Sequence, residues 1–143
     1  MHRVAIRAWE FIVGVALYIV AEREVPDVDT QVGGKALGRS NNLDRLAVRA
    51  GVRPLMDYFS TDREQAAAHI EELGEEPPTD IPEEAWFSAE DGLITVRGLL
   101  RHLEANPTAI SDAAEVAGEL REFEGVLVGL AAAGVRWHLA VDY

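Results

Sequence analysis

The chain has 143 residues, with 25 acids against 13 bases, four His, no Cys, a formal charge of -12 and 48% hydrophobic residues. That length suits one domain able to bury an ordinary core, and the apolar share excludes a disordered chain. The lack of Cys excludes disulfides, thiol nucleophiles and cysteine-ligated metal, and the acidity argues against nucleic-acid binding, which needs a basic footprint.

His2, Arg3 and Arg7 precede an apolar run from Phe11 to Ala21. The run is about eleven residues, too short to span a bilayer, and it lacks a small-residue cleavage site. It reads as a buried strand over residues 15–21, and because Val15, Leu17, Ile19, Ala16, Tyr18 and Val20 make both faces apolar, the strand should be covered on both sides. Residues 1–13 read as a further strand, a short helix or an N-terminal extension upstream of the domain. Pro26 ends the strand.

Gly33, Gly34 and Gly38 make residues 33–40 a loop or tight turn. Ser40, Asn41 or Asn42 can cap a helix that sets Leu43, Leu46, Ala47 and Ala50 on one face and stops at Gly51. Residues 52–59 form a connector whose Leu55, Met56, Tyr58 and Phe59 should pack on the core. Thr61 and Glu64 match a capping box, which opens a helix through Ala66, Ala67, Ile70 and Leu73 to Gly74.

Residues 75–84 carry three Pro among their acids and read as an extended acidic linker on the surface. Beyond it, Leu93, Val96, Leu99, Leu100 and Leu103 form a helical stripe that Asn106-Pro107 stops. Ser111 or Asp112 opens a long helix that buries Ala114, Val116, Ala117, Leu120, Phe123, Leu127 and Leu130 and ends at Gly134. Its last two turns, almost wholly apolar, should be enclosed. Over residues 135–142, Val135, Trp137, Leu139 and Val141 alternate with Arg136, His138, Ala140 and Asp142, the pattern of a half-buried strand.

These elements predict a single helix-rich α+β domain of about four helices. A small sheet pairs the N-terminal apolar strand with the C-terminal one. Two strands alone are marginal. Residues 1–13, 24–32 or 52–59 could add a third, or a second copy could complete the sheet across a two-fold axis as a homodimer.

The chemistry is sparse. Gly33, Gly34, Lys35, Arg39 and Ser40 are the candidate ligand site: glycines let backbone N–H groups approach an anion, and two cations and a helix start lie beside them. Ala36 follows Lys35, so this is not a Walker A loop, and turn formation is the commoner use of such glycines. Asp27 and Asp29 lack the further oxygen ligands of a calcium loop. His2, His69, His102 and His138 form no paired metal motif, so no metal, cofactor or catalytic group is assigned. His138 and Asp142 share a strand face, but a general base also needs a cleft and a nucleophile or water. Ser60, Ser88 and Ser111 sit where helices or turns begin and read as caps.

Charge is uneven: residues 1–54 balance at +2 and residues 55–143 at -14. Residues 71–91 hold nine acids and no base, with Trp86-Phe87 among them. An ordinary solvated surface would look like this, and so would an acidic face for a basic partner. Lys35 is the sole Lys, a bias that GC-rich codons produce and that points to a bacterial genome. The sequence therefore reads as a bacterial, cytoplasmic, non-enzymatic protein-interaction domain, immunity-like or regulatory, without membrane or nucleic-acid contact. Glu83, Glu84, Trp86, Phe87, Glu90 and Asp91 are its candidate partner-binding residues, although Trp86-Phe87 read more simply as a hydrophobic anchor that pins the loop. The alternative is an anion-, nucleotide- or other small-molecule-binding protein, enzymes included, that uses Gly33–Arg39.

Overall fold

Strands from opposite ends of the chain meet in one two-stranded antiparallel sheet. β1 (Ala16–Ala21) and β2 (Trp137–Asp142) pair in a register that sets Leu17 opposite Val141, Ile19 opposite Leu139 and Ala21 opposite Trp137. In chain order between them come α1 (Lys35–Arg39), α2 (Leu43–Ala50), a 3-10 turn (Leu55–Tyr58), α3 (Arg63–Glu72), α4 (Ala89–Ala105) and α5 (Ala113–Ala133). The structure, a computed structural model, describes residues 16–40, 42–77 and 83–142, and of Asp142 the backbone only. The readings of residues 1–13, Val15, Asn41 and 78–82 lie outside the described residues. The architecture is one α+β domain with five helices, four of them substantial. Among the described residues no helix is long and apolar enough to cross a membrane.

Residues directly opposite in an antiparallel pair share a face. Leu17, Ile19, Trp137, Leu139 and Val141 therefore form one inner face, and all five are buried. That face joins the α4–α5 helical pair. The predicted stripe of Leu93, Val96, Leu99, Leu100 and Leu103 is wholly buried, as are Val116, Leu120, Phe123, Leu127 and Leu130 on α5. Gly51 and Gly134 close α2 and α5 in the left-handed conformation, at φ 71° and 67°, as their positions in sequence predict.

Several expectations are corrected. The Gly-rich segment becomes helical from Lys35, because Ala36 and Leu37 can then reach the core, where both are buried. Asp62 caps α3 in place of Thr61, its carboxylate accepting from the Gln65 N–H at 2.8 Å. Only Ile70 of α3 is buried, and Leu73 is exposed beyond the helix end. On α5 the inward residue of the first turn is Ala113 and Ala114 faces water, while Val128 leaves the last turns only partly enclosed.

The strands depart from expectation in opposite directions. β1 is not covered on both sides, since Tyr18 on its outer face is 37% exposed. β2 is the more enclosed: His138 and Ala140, expected on a solvated face, are buried. Both of its edges are also taken. β1 lies along one, and on the other the Ser60 N–H donates to the Leu139 carbonyl at 3.0 Å while Phe87 and Trp137 exchange two backbone bonds at 2.8 and 2.9 Å. No full third strand is present among the described residues. The 52–59 connector reaches the sheet through a single bridge at Phe59.

Arg136 donates to the Glu22 carboxylate where the strands begin and end. That hydrogen bond, aided by the guanidinium charge, holds the Glu22 carboxyl below its ordinary value and raises Arg136. A depressed folded pKa gives stability that is present above the unfolded value and lost as pH falls through the folded one. Glu22→Gln is therefore expected to unfold slightly earlier than the parent at neutral pH, and the difference should close in acid. Paired denaturation curves at several pH values check this, and a gap that widens in acid would contradict it.

Candidate functional site

The segment after the linker is built to fasten onto β2. Ser88 caps α4 by accepting the Asp91 N–H at 3.1 Å, and its carbonyl accepts the Trp137 indole N–H at 3.1 Å. Ser60 is not a helix cap; its hydroxyl accepts the Ala85 N–H at 2.8 Å and ties the connector to this segment. Phe87 sets its ring edge-on to Tyr58, 5.2 Å between centroids, and Tyr58 stacks on Trp137 at 5.1 Å. The indole of Trp86 lies 4.7 Å from the His138 imidazole. An apolar pair inside an acidic stretch thus packs on its own chain, as aromatic area usually does when a sheet lies beside it.

Glu84 follows the same logic. One carboxylate oxygen lies 2.7 Å from Nε2 of the buried His138, whose Nδ1 is 3.0 Å from the Leu139 carbonyl oxygen. The ring can donate to the carboxylate through Nε2 or to the carbonyl through Nδ1, so the buried imidazole has an acceptor beside each nitrogen. Glu84→Gln can keep the contact by donating its amide N–H to an unprotonated Nε2, whereas Glu84→Ala leaves that nitrogen without a partner. We expect Glu84→Ala to cost about 1–3 kcal/mol and Glu84→Gln much less. Chemical denaturation reads the difference. Equal stability of both variants and the parent would contradict the pairing.

Across from this pair stands α3. Between them, over the outer face of the sheet, is a cleft of about 500 Å³. Tyr18, Val20 and Ala140 form its floor, and Ser60, Thr61, Asp62, Gln65, His69 and Glu72 line it on the α3 side, with Glu84 and His138 opposite. Its lining among the described residues holds three carboxylates and no Lys or Arg. Glu83 sits by the mouth, 3.7 Å from Arg63. No group of three or more metal-ligating side chains is found among the described residues.

The residues expected to bind a partner are therefore divided. Glu83, Glu90 and Asp91 are exposed, Glu84 turns to His138, and Trp86 and Phe87 are half-buried against the sheet. The residues expected to bind an anion meet a different fate. The backbone N–H groups of Ala36 and Leu37 donate to the Glu119 carboxylate at 3.0 and 2.9 Å. Arg39 pairs with Glu115 at 3.0 Å, and Lys35 is exposed. The attraction of a helix start for negative charge is real here, but a carboxylate of α5 satisfies it. Glu119→Gln is expected to cost about 1 kcal/mol, since the charge-assisted cap becomes a neutral one. Added phosphate should not raise the thermal midpoint of the parent; an increase that Lys35→Ala abolishes would restore the loop as a ligand site.

The cleft itself is not visible in the sequence. The spacing of His138 and Asp142 points to a partner on the same strand, whereas the carboxylate that reaches His138 comes from Glu84, 54 positions away. The acid runs 71–72 and 83–84 are the usable signal, because a bent chain could bring them together. Comparison with protein-family models, with curated proteins and with solved structures returned no match.

Proposed function

We propose that the chain is a non-enzymatic protein-interaction domain, regulatory or immunity-like in kind, that docks a basic partner on its acidic face. One observation carries the reading: Asp62 and Glu72 on one wall and Glu84 on the other border a common cleft whose described lining contains no Lys or Arg. Glu71, Glu72, Glu75, Glu76, Glu83, Glu90 and Asp91 are all exposed, so their charge is open to a partner. Clustered charge of one sign speeds encounter with a complementary surface and disfavours wrong partners. Glu71, Glu75 and Glu76 make no ion pair among the described residues, so little of the fold depends on their charge.

The test compares the intact chain with the variant Glu71→Gln, Glu75→Gln, Glu76→Gln, Glu90→Gln as baits in a lysate at low salt. The variant is expected to keep its thermal midpoint and lose a basic protein that the intact bait retains. Identical retention by both baits would overturn the reading.

A further inference from the structure

We propose that the cleft between α3 and the outer sheet face receives the guanidinium side chain of a partner arginine, which anchors the complex. This rests on the interaction reading above and names its central contact. Asp62 and Glu72 supply acceptors on one wall, and the amide of Gln65 and the hydroxyls of Ser60 and Thr61 extend them. The opposite wall is the Glu84–His138 pair, where the Glu84 carboxylate, one oxygen held at His138, supplies a further acceptor.

A cation is therefore drawn in by Asp62 and Glu72, the latter 4.0 Å from His69 Nδ1, and by Glu64 outside, while Glu83 is paired with Arg63. Acceptors spread over two walls suit a planar group with five donors better than a compact ammonium. The volume, about 500 Å³, lies in the range of about 300–1,000 Å³ common to small-ligand sites. An anchor residue inserted in a pocket and ringed by weaker charged contacts is the usual energetic layout of an interface.

The test is a nuclear magnetic resonance titration of the full chain with three peptides: acetyl-Gly-Arg-Gly-amide, its lysine analogue and its citrulline analogue, which is neutral and nearly isosteric. The arginine peptide should move amide signals over residues 60–72 and 84 and the His138 ring signals. Lysine should act more weakly and citrulline not at all. The variant Asp62→Asn, Glu72→Gln keeps an α3 cap, because Asn also accepts the Gln65 N–H, and should bind the arginine peptide about five-fold more weakly.

Equal shifts with citrulline, or no shift in the cleft with any peptide, would overturn the proposal. Shifts confined to Glu71, Glu75, Glu76, Glu90 and Asp91 would overturn the cleft as the anchor point and leave the acidic-face reading standing. Cleft binding of the arginine peptide by a chain whose lysate capture ignores charge neutralisation would do the reverse. It would support the guanidinium site and remove the protein-docking role.

Discussion

Replacing Gly34 by Ala is expected to destabilise the chain by about 3 kcal/mol, the upper part of the usual cost of overpacking. A Cβ at this position would overlap the Leu17 carbonyl oxygen and crowd the Phe123 ring. The obstruction is backbone, which cannot rotate away as a side chain can. Gly34 also receives the Leu17 N–H on its carbonyl at 3.1 Å, so the two segments cannot separate without losing that bond. This close approach is where the chain entering α1 meets β1, and it sets Ala36 and Leu37 against Glu119. At the adjacent Gly33 a Cβ would meet nothing within 4 Å, so Gly33→Ala should change stability by less than about 0.5 kcal/mol. Urea denaturation of the two variants separates the effects. Equal midpoints would show that the edge of β1 is not packed as described.

Trp137→Ala is expected to cost about 3–5 kcal/mol and to leave little folded protein at physiological temperature. The indole is fully buried, stacks on Tyr58 and lies so near Gly92 of α4 that a Cβ there would strike its ring. Its N–H holds the Ser88 carbonyl, at the residue that caps α4. Trp137→Phe should keep most of the packing and lose that bond, at roughly 1–2 kcal/mol. Near-ultraviolet circular dichroism and thermal unfolding distinguish the two variants. A Trp137→Phe chain as unstable as Trp137→Ala would assign the loss to the hydrogen bond instead of the packed volume.

The helices are legible in the sequence because their signals are local. The stripe from Leu93 to Leu103, the stop at Asn106-Pro107 and the glycines at 51 and 134 each depend on neighbours a turn away. The pairing of the terminal strands is legible as well, since both stand out as the strongest β segments. Burial of the second face of β2 is not. His138 sits at a polar position in an alternating pattern, and only the return of residues 84–87 to the strand encloses it. Such burial depends on contacts about 50 positions apart, which periodicity does not encode.

The candidate sites show the same division. The glycines and helix start of residues 33–40 do mark a place where backbone N–H groups gather. Nothing local signals that Glu119, more than 80 positions later, fills it. Trp86 and Phe87 do form an anchor within an acidic run, and they anchor that run to this chain's own sheet. Exposure of the surrounding carboxylates, in contrast, follows from composition alone, because an unpaired carboxylate is too costly to bury.

Docking of a basic partner on the acidic face is tested most directly by the salt dependence of that partner's affinity. For the captured partner, affinity for the intact chain should fall as salt rises, and the variant Glu71→Gln, Glu75→Gln, Glu76→Gln, Glu90→Gln should bind more weakly with a flatter dependence. An affinity that is independent of salt, or a salt dependence that the four substitutions leave unchanged, would contradict the claim.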